Sequence, residues 1–137
     1  MTVQRLSAGV FLGTLITEIE TRTGTPTYDV PDNEASPLYS VELLRTEPAN
    51  TKTMFVDRYD MRIHCIAAQV EPHSNAPTLR LVQTLEQALA DTIELDGNFH
   101  VFNQEYRGIR SLKKDPSGEG HAVTDWSFYV CYGFRCK

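Results

Sequence analysis

The sequence predicts an α+β fold, in which a mostly antiparallel sheet with a long hairpin is packed by two helices on one face. Two long segments alternate apolar and polar residues with period two, and two others repeat apolar residues every three or four positions. Short turns join most of the predicted strands, which favours antiparallel pairing. The 137 residues suit a single domain over 1–137.

The first helix is predicted over residues 3–23, where apolar residues such as Val10 and Leu15 form a stripe. Gly24 is predicted to end this helix. A connector over 25–37 follows, and its prolines, aspartates and asparagine are typical of turns. We interpret this connector as structural rather than catalytic.

The long hairpin is predicted from strands at 38–44 and 53–70, joined by a loop around 47–53. Its second strand has one buried and one wetter face. The buried parity holds Tyr59, Met61, Ile63 and Cys65, and the wetter parity holds Asp60, Arg62 and His64.

The second helix is predicted over 71–95, with Ser74 or Asn75 as its cap and Asp96-Gly97 at its end. The remainder is predicted to contain short strands at 99–102 and 109–112, an exposed turn at 113–121, and a strong final strand at 126–134.

Composition excludes several classes of protein. The formal net charge of −5 argues against a large basic surface for holding nucleic acid. No segment has the length of a membrane span or the pattern of a signal peptide, so we expect no membrane partner. Three cysteines at irregular spacing do not form a disulfide framework, and they fit a reducing compartment.

Catalytic motifs, phosphate-binding loops and dinucleotide fingerprints are absent from the sequence. Candidate metal or thiol residues are His64, Cys65, His73, His100, His121, Cys131 and Cys136. Neighbours in this set have opposite strand parity, so their side chains are predicted to point to opposite faces. We therefore predict no catalytic residue, no metal and no cofactor. A small enzyme that uses His64 or His121 with Cys65 or Cys131 is the alternative, as is a small-molecule-binding domain.

Basic side chains are the candidate contacts with partners. They concentrate on the predicted hairpin and in the last third of the chain. Such residues fit an acidic partner or nucleic acid, although the negative net charge favours a solvated surface. The candidate interface residues are Lys52, Arg58, Arg62, Arg107, Arg110, Lys113 and Lys114.

Three segments resemble the small tail-completion proteins of long-tailed bacteriophages, the tail-terminator and tail-to-head joining group. They are "YDVPDNEASPLYSVELL", "NTKTMFVDRYDMRIHCIA" and "SLKKDPSGEGHAVTDWSFYV". In that group a Y-D-x-V-P-x-N type segment leads into the first strand, and K-T precedes a long strand. A late D-P-S/D-G turn precedes a final aromatic strand. The resemblance covers about residues 1–134.

The resemblance implies a virion structural protein without catalysis, made in the host bacterial cytoplasm and placed at the head-proximal end of the tail. It implies a homo-oligomeric ring, often a hexamer, that ends tail growth and docks to the head. The implied partners are further copies, the tail tube protein, and the head connector or a head-completion protein. DNA would pass through the lumen without specific binding. The alternative is a head-completion or minor tail protein.

A closed ring needs two unlike surfaces on each copy. We expect the long hairpin and a loop at 103–119 to supply them. We also expect the lumen to be acidic, because attraction to DNA phosphates depends on lysine and arginine.

Overall fold

The computed structural model describes residues 3–68, 74–116 and 118–135. Its elements are α1 (Ala8–Thr23), β1 (Thr27–Tyr28), β2 (Leu38–Pro48), β3 (Met54–Ala67), α2 (Ala76–Ala88), β4 (His100–Lys114) and β5 (Gly120–Phe134). The strands form one sheet in the order β1-β2-β3-β5-β4, and every pair except β1 with β2 is antiparallel. The predicted α+β class and the long β2–β3 hairpin are confirmed.

The core lies between the two helices and one face of the sheet. α1 buries Phe11, Leu15 and Ile19 completely, and their spacing of four residues places them on one side of the helix. The ring of Phe11 stacks on that of Tyr59, with centroids 4.3 Å apart. Each such buried side chain contributes about 1.5–3 kcal/mol. Val10 is 56% exposed, so the predicted stripe was wrong at this position.

The N-terminal segment before α1 is not helical, so the prediction that the helix begins at residue 3 was wrong. The hydroxyl of Tyr59 donates to the main-chain oxygen of Leu6 over 2.9 Å. Arg5 Nε lies 2.9 Å from Oδ2 of Asp57, which is only 4% exposed. Ser7 has an extended backbone, with φ −62° and ψ 135°. These contacts hold the segment against the end of the core instead of in a helical turn.

The second helix ends at Ala88, earlier than predicted, because side chains from other elements bind the carbonyls that follow. Arg22 donates to the main-chain oxygens of Ala88 (2.9 Å), Asp91 (2.9 Å) and Thr92 (3.1 Å). Gln104 donates to the oxygen of Leu89 over 2.6 Å. The segment therefore leaves the helix and runs towards β4. Of the two predicted caps, Asn75 precedes the first residue of α2 but makes no side-chain capping hydrogen bond, and Ser74 Oγ accepts from the Ala76 N–H over 3.1 Å.

β4 is one continuous strand of 15 residues, where the sequence predicted two short strands and a loop at 103–119. Its register against β5 shifts three times, and Gly108, with a φ of 95°, lies within the shift between Tyr106 and Ile109. The shifts break the alternation on which strand prediction depends. The turn is short: the Asp115 N–H donates to the oxygen of Glu119 over 2.9 Å. The predicted loop at 103–119 is therefore strand as far as Lys114, and the final strand begins at Gly120 instead of at the predicted residue 126.

The sheet has two open edges among the described residues. β4 pairs with β5 alone. β1 covers only Tyr39 and Ser40 of β2, so the outer side of β2 from Val41 to Pro48 has no neighbouring strand. Neither described helix is long and apolar enough to cross a membrane.

Candidate functional site: the polar face of the sheet

The face of the sheet opposite the helices carries a concentration of polar and charged side chains. Alternation along β3 buries Met61 and Ile63 in the core and turns Asp60, Arg62 and His64 outward, as predicted. Strands β2, β5 and β4 add their own polar side chains to this surface, which we call the polar face. Because no described helix packs on it, its side chains remain available to a partner or to solvent.

Asp60 is the centre of one cluster on the polar face. Its carboxylate accepts hydrogen bonds from Ser127 Oγ (2.8 Å), Arg58 Nε (3.1 Å) and Arg45 Nε (3.2 Å). Glu47 also pairs with both arginines. Burial alone would raise the pKa of Asp60, but the hydrogen bonds from Ser127 and Arg58 outweigh it and hold this pKa below its ordinary value. The carboxylate is therefore ionised at neutral pH.

Asp125 is the centre of a second cluster. Arg62 Nε lies 2.9 Å from Oδ1, and Arg110 Nε lies 2.8 Å from Oδ2. Burial opposes ionisation here too, yet the two guanidinium groups lower the pKa of Asp125. Arg107 extends the clusters across β4, since its Nε donates to Ser127 Oγ over 2.7 Å.

Five arginines share four carboxylates on this face. Each arginine of the polar face forms an ion pair with a carboxylate. The arginines are Arg45, Arg58, Arg62, Arg107 and Arg110, and their carboxylate partners are Glu47, Asp60, Glu105 and Asp125. The polar face contains an open depression with a volume of about 410 Å³. It is therefore a concave, ion-paired surface rather than a basic patch.

Four of the predicted interface residues meet on the polar face: Arg58, Arg62, Arg107 and Arg110. The other three do not join them. Lys52 is exposed in the β2–β3 turn, and Lys113 and Lys114 lie at the far end of β4. The basic candidates thus form one cluster and two separate sites, and their role in contacts stays a prediction.

The pairing of these arginines with acidic residues was not predicted from the sequence. Asp125 lies 63 residues after Arg62, and Ser127 lies 67 residues after Asp60, so no local pattern joins them. A signal was present in the alternation itself. Opposite charges at the same parity of two predicted neighbouring strands are typical of cross-strand pairs.

The histidines form a chain rather than a metal centre. Nδ1 of His64 lies 3.0 Å from Nε2 of His121, and Nε2 of His64 lies 3.0 Å from a Glu42 oxygen. Burial, and then the charge of His64, lower the pKa of His121. Each ring nitrogen of His64 already has a partner, one in His121 and the other in Glu42. The three side chains therefore do not point towards a common position where a metal ion could bind. Within the described ranges, no group of three or more histidine, cysteine or acidic residues could hold a metal ion.

Two of the thiol candidates, Cys65 and Cys131, are buried. Cys65 is fully buried on the core side of β3, opposite to the face that carries His64. Burial raises the pKa of its thiol to about 12, which disfavours the nucleophilic thiolate. Cys131 is 2% exposed. The remaining candidates include His100, which is exposed at the start of β4, whereas His73 and Cys136 lie outside the described residues.

Comparison with known proteins gives the arrangement a context. The chain matches a family model described as "Putative tail termination protein" over residues 4–137. A chain of the solved structure "Virion of native gene transfer agent (GTA) particle" has a similar fold. Its TM-score is 0.68 at 16% identity, over 93% of this chain and 99% of that one. No curated protein matches the chain. At this identity the solved structure establishes the fold alone.

Proposed function

The chain belongs to the phage tail termination family, and from this premise we propose that it forms the ring that ends growth of a tail tube. It is a structural protein of the virion tail. The match of the family model over residues 4–137 is the observation that carries the proposal. The ring would consist of copies of this chain, often six in the related group, at the head-proximal end of the tube.

The fold supports a role performed by surfaces. In the part of the chain that the structure describes, each copy presents two different open sheet edges, and a closed ring requires two unlike surfaces. The polar face has its arginines already paired, and the Cys65 thiol is buried. We therefore assign no catalytic step, and the protein would act through contacts with the tube protein, the head connector and further copies. DNA would pass through the ring without specific binding.

The β2–β3 turn is the proposed contact with a partner above or below the ring. Its residues from Asn50 to Thr53 are exposed. Arg135 stabilises the turn, since its Nη1 donates to the oxygen of Thr51 and its N–H to that of Thr53, both over 2.9 Å. The exposed Lys52 is thereby presented on a supported turn, where it can pair with an acidic surface.

Growing tail tubes that lack a terminator provide the test. Purified protein is added during polymerisation, and electron microscopy measures tube lengths and end structures. We expect growth to stop and a ring to appear at one tube end. Continued growth with bare ends would refute the proposal. Binding along the tail would favour a minor tail protein, and binding to isolated heads would favour a head-completion protein.

A charge-reversal pair tests the turn. Lys52→Glu is compared with Arg80→Glu, which changes an exposed residue on α2, away from the turn. We expect Lys52→Glu to weaken capping and Arg80→Glu to leave it unchanged. Equal effects of the two variants would remove Lys52 from the contact.

A further inference from the structure

The two open edges of the sheet differ in length, charge and chain direction, and we infer that they pair with each other between neighbouring copies. The outer edge of β4 would bind residues 41–48 of β2 in the next copy. Repetition of this contact would join the sheets of all copies into one closed barrel. The inference rests on the proposed function, because it assigns the interface of the proposed ring.

The strand directions fit this contact. β2, β3, β5 and β4 are successively antiparallel, so β4 runs opposite to β2. Rotation about a ring axis keeps the direction of every strand relative to that axis. The β4 strand of one copy therefore meets the β2 strand of the next in antiparallel orientation, which is the commoner arrangement in sheets.

Main-chain groups are available on the β2 side. The Tyr39 N–H points away from β3 and donates to the oxygen of Pro26 over 2.9 Å. Because main-chain groups alternate along a strand, those of Val41 and Leu43 point the same way. β1 ends at Tyr28 and does not reach them. Exposed, unpaired edges of this kind are templates for pairing with another strand.

The two strands carry net charges of opposite sign, although Arg107 and Arg110 already pair within one copy with Glu105 and Asp125. β4 carries four basic side chains and one acidic one: Arg107, Arg110, Lys113, Lys114 and Glu105. Residues 41–48 carry two acids and one base: Glu42, Glu47 and Arg45. Pairing of β4 with a second β4 would bring like charges together, which is unfavourable across strands.

Apolar side chains also remain exposed on both strands. On β4, Phe102, Tyr106 and Ile109 are 45%, 38% and 44% exposed, and on β2 Leu44 is 40% exposed. Burial of such groups between copies adds a hydrophobic contribution to the main-chain hydrogen bonds.

The barrel would place the helices outside and the polar face inside. The wall of the passage would then consist of the ion-paired arginines and carboxylates of the polar face. In this arrangement an ion-paired lumen replaces our expectation of an acidic one. Because its arginines are already neutralised by carboxylates, the wall has few free cations to hold phosphates.

Hydrogen exchange on the wild-type protein tests the interface. Exchange is measured by mass spectrometry on the free chain and on rings, formed at high concentration or on tail tubes. We expect amides in 41–48 and in 100–114 to exchange roughly ten-fold or more slowly in the ring. A ring without protection of these segments overturns this interface and leaves the proposed function standing. Failure to form a ring under either condition refutes both.

Disulfide trapping identifies the pairing directly. Copies with Thr46→Cys are mixed with copies with Phe102→Cys, Asn103→Cys or Lys113→Cys, all carrying Cys65→Ala, Cys131→Ala and Cys136→Ala. After ring formation and oxidation, we expect a mixed disulfide for at least one position on β4. Disulfides only between β4 copies would overturn the inference. Should the cysteine-free chain not fold, the exchange measurement on the wild type decides.

Discussion

Gly120 lies directly beneath Thr78, where a Cβ on the glycine would sit 1.7 Å from the Thr78 Oγ1 and 3.0 Å from its Cβ. Thr78 is 1% exposed in the first turn of α2, so it has little room to move. The second helix therefore packs on the first residue of β5 at a distance that only glycine allows.

Gly120→Ala is expected to lower the free energy of unfolding by about 1–3 kcal/mol, because the added methyl group overpacks this contact. Chemical denaturation of the variant and the wild type measures the difference. Gly13→Ala is the matched control, since a Cβ there meets nothing within 4 Å and lies inside α1. The control is expected to gain about 0.5–1 kcal/mol. Equal stability of Gly120→Ala and the wild type would contradict the packing described.

Arg22→Met is expected to destabilise the protein by about 1–2 kcal/mol, because the carbonyls after α2 lose their charged donor. The substitution keeps an apolar stem of similar length, so the loss reports mainly on the hydrogen bonds. Thermal unfolding followed by circular dichroism provides the measurement. Arg80→Met on the exposed surface of the same helix serves as the control and is expected to change stability by less than about 0.5 kcal/mol. A similar small effect for both variants would show that Arg22 does not hold this segment.

Acid sensitivity is expected from the polar face. Burial would raise the pKa values of Asp60 and Asp125, but the hydrogen bonds and charges around them lower both below the ordinary 3.8. Because the folded-state pKa is lower than that of the unfolded chain, the ionised carboxylates stabilise the fold above the unfolded value. This contribution is lost as the pH falls through the folded-state pKa. We expect the free energy of unfolding to decrease from about pH 4 downward.

The double variant Asp60→Asn with Asp125→Asn should show a flatter decrease between pH 4 and pH 2.5 in urea denaturation. Its counterpart, Asp29→Asn with Asp32→Asn, changes two exposed carboxylates of the connector and should retain the steep decrease. The counterpart should also assemble normally, as expected of a structural connector. An acid profile identical for the wild type and the Asp60 and Asp125 double variant would contradict the assigned role of these pairs.

Cys65 is expected to be unreactive in the folded protein, since burial raises the pKa of its thiol to about 12. In a variant with Cys131→Ser and Cys136→Ser, Cys65 is the single remaining thiol. Ellman's reagent should leave it unmodified in the native protein and modify it after denaturation. Rapid native labelling would revive the alternative of a thiol-dependent enzyme.

The long strand β3 was predictable because local pattern and burial agree there, whereas β5 begins at Gly120, six residues before the predicted start, and also buries Ser127 and Cys131. β3 alternates from Asp57 to Ala67, and its buried parity, including Met61 and Ile63, is the one the sequence indicates. The errors lie where distant side chains act on the backbone. α2 ends early because Arg22, 66 residues before Ala88, binds its carbonyl. Such contacts leave no signal in a local window.

The candidate surface was predictable only in part. The basic residues Arg58 and Arg62 were found from charge, but whether a guanidinium is free or paired depends on the register of strands far apart in the chain. Asp125 neutralises Arg62 because β5 is the neighbour of β3, which the order of segments alone does not give. The register of the strands therefore decides whether these arginines form a basic patch or are paired with carboxylates.

The three register shifts of β4 also affect the stage of tail assembly at which the copies associate. Bulges twist an edge strand and interrupt its row of main-chain groups, which discourages chance encounters with other sheets. A dilute copy would then associate slowly, whereas copies gathered on one tube end would experience a far higher effective concentration. The irregular strand would therefore slow association between free copies. Its edge would pair only after the copies are concentrated on a completed tail tube.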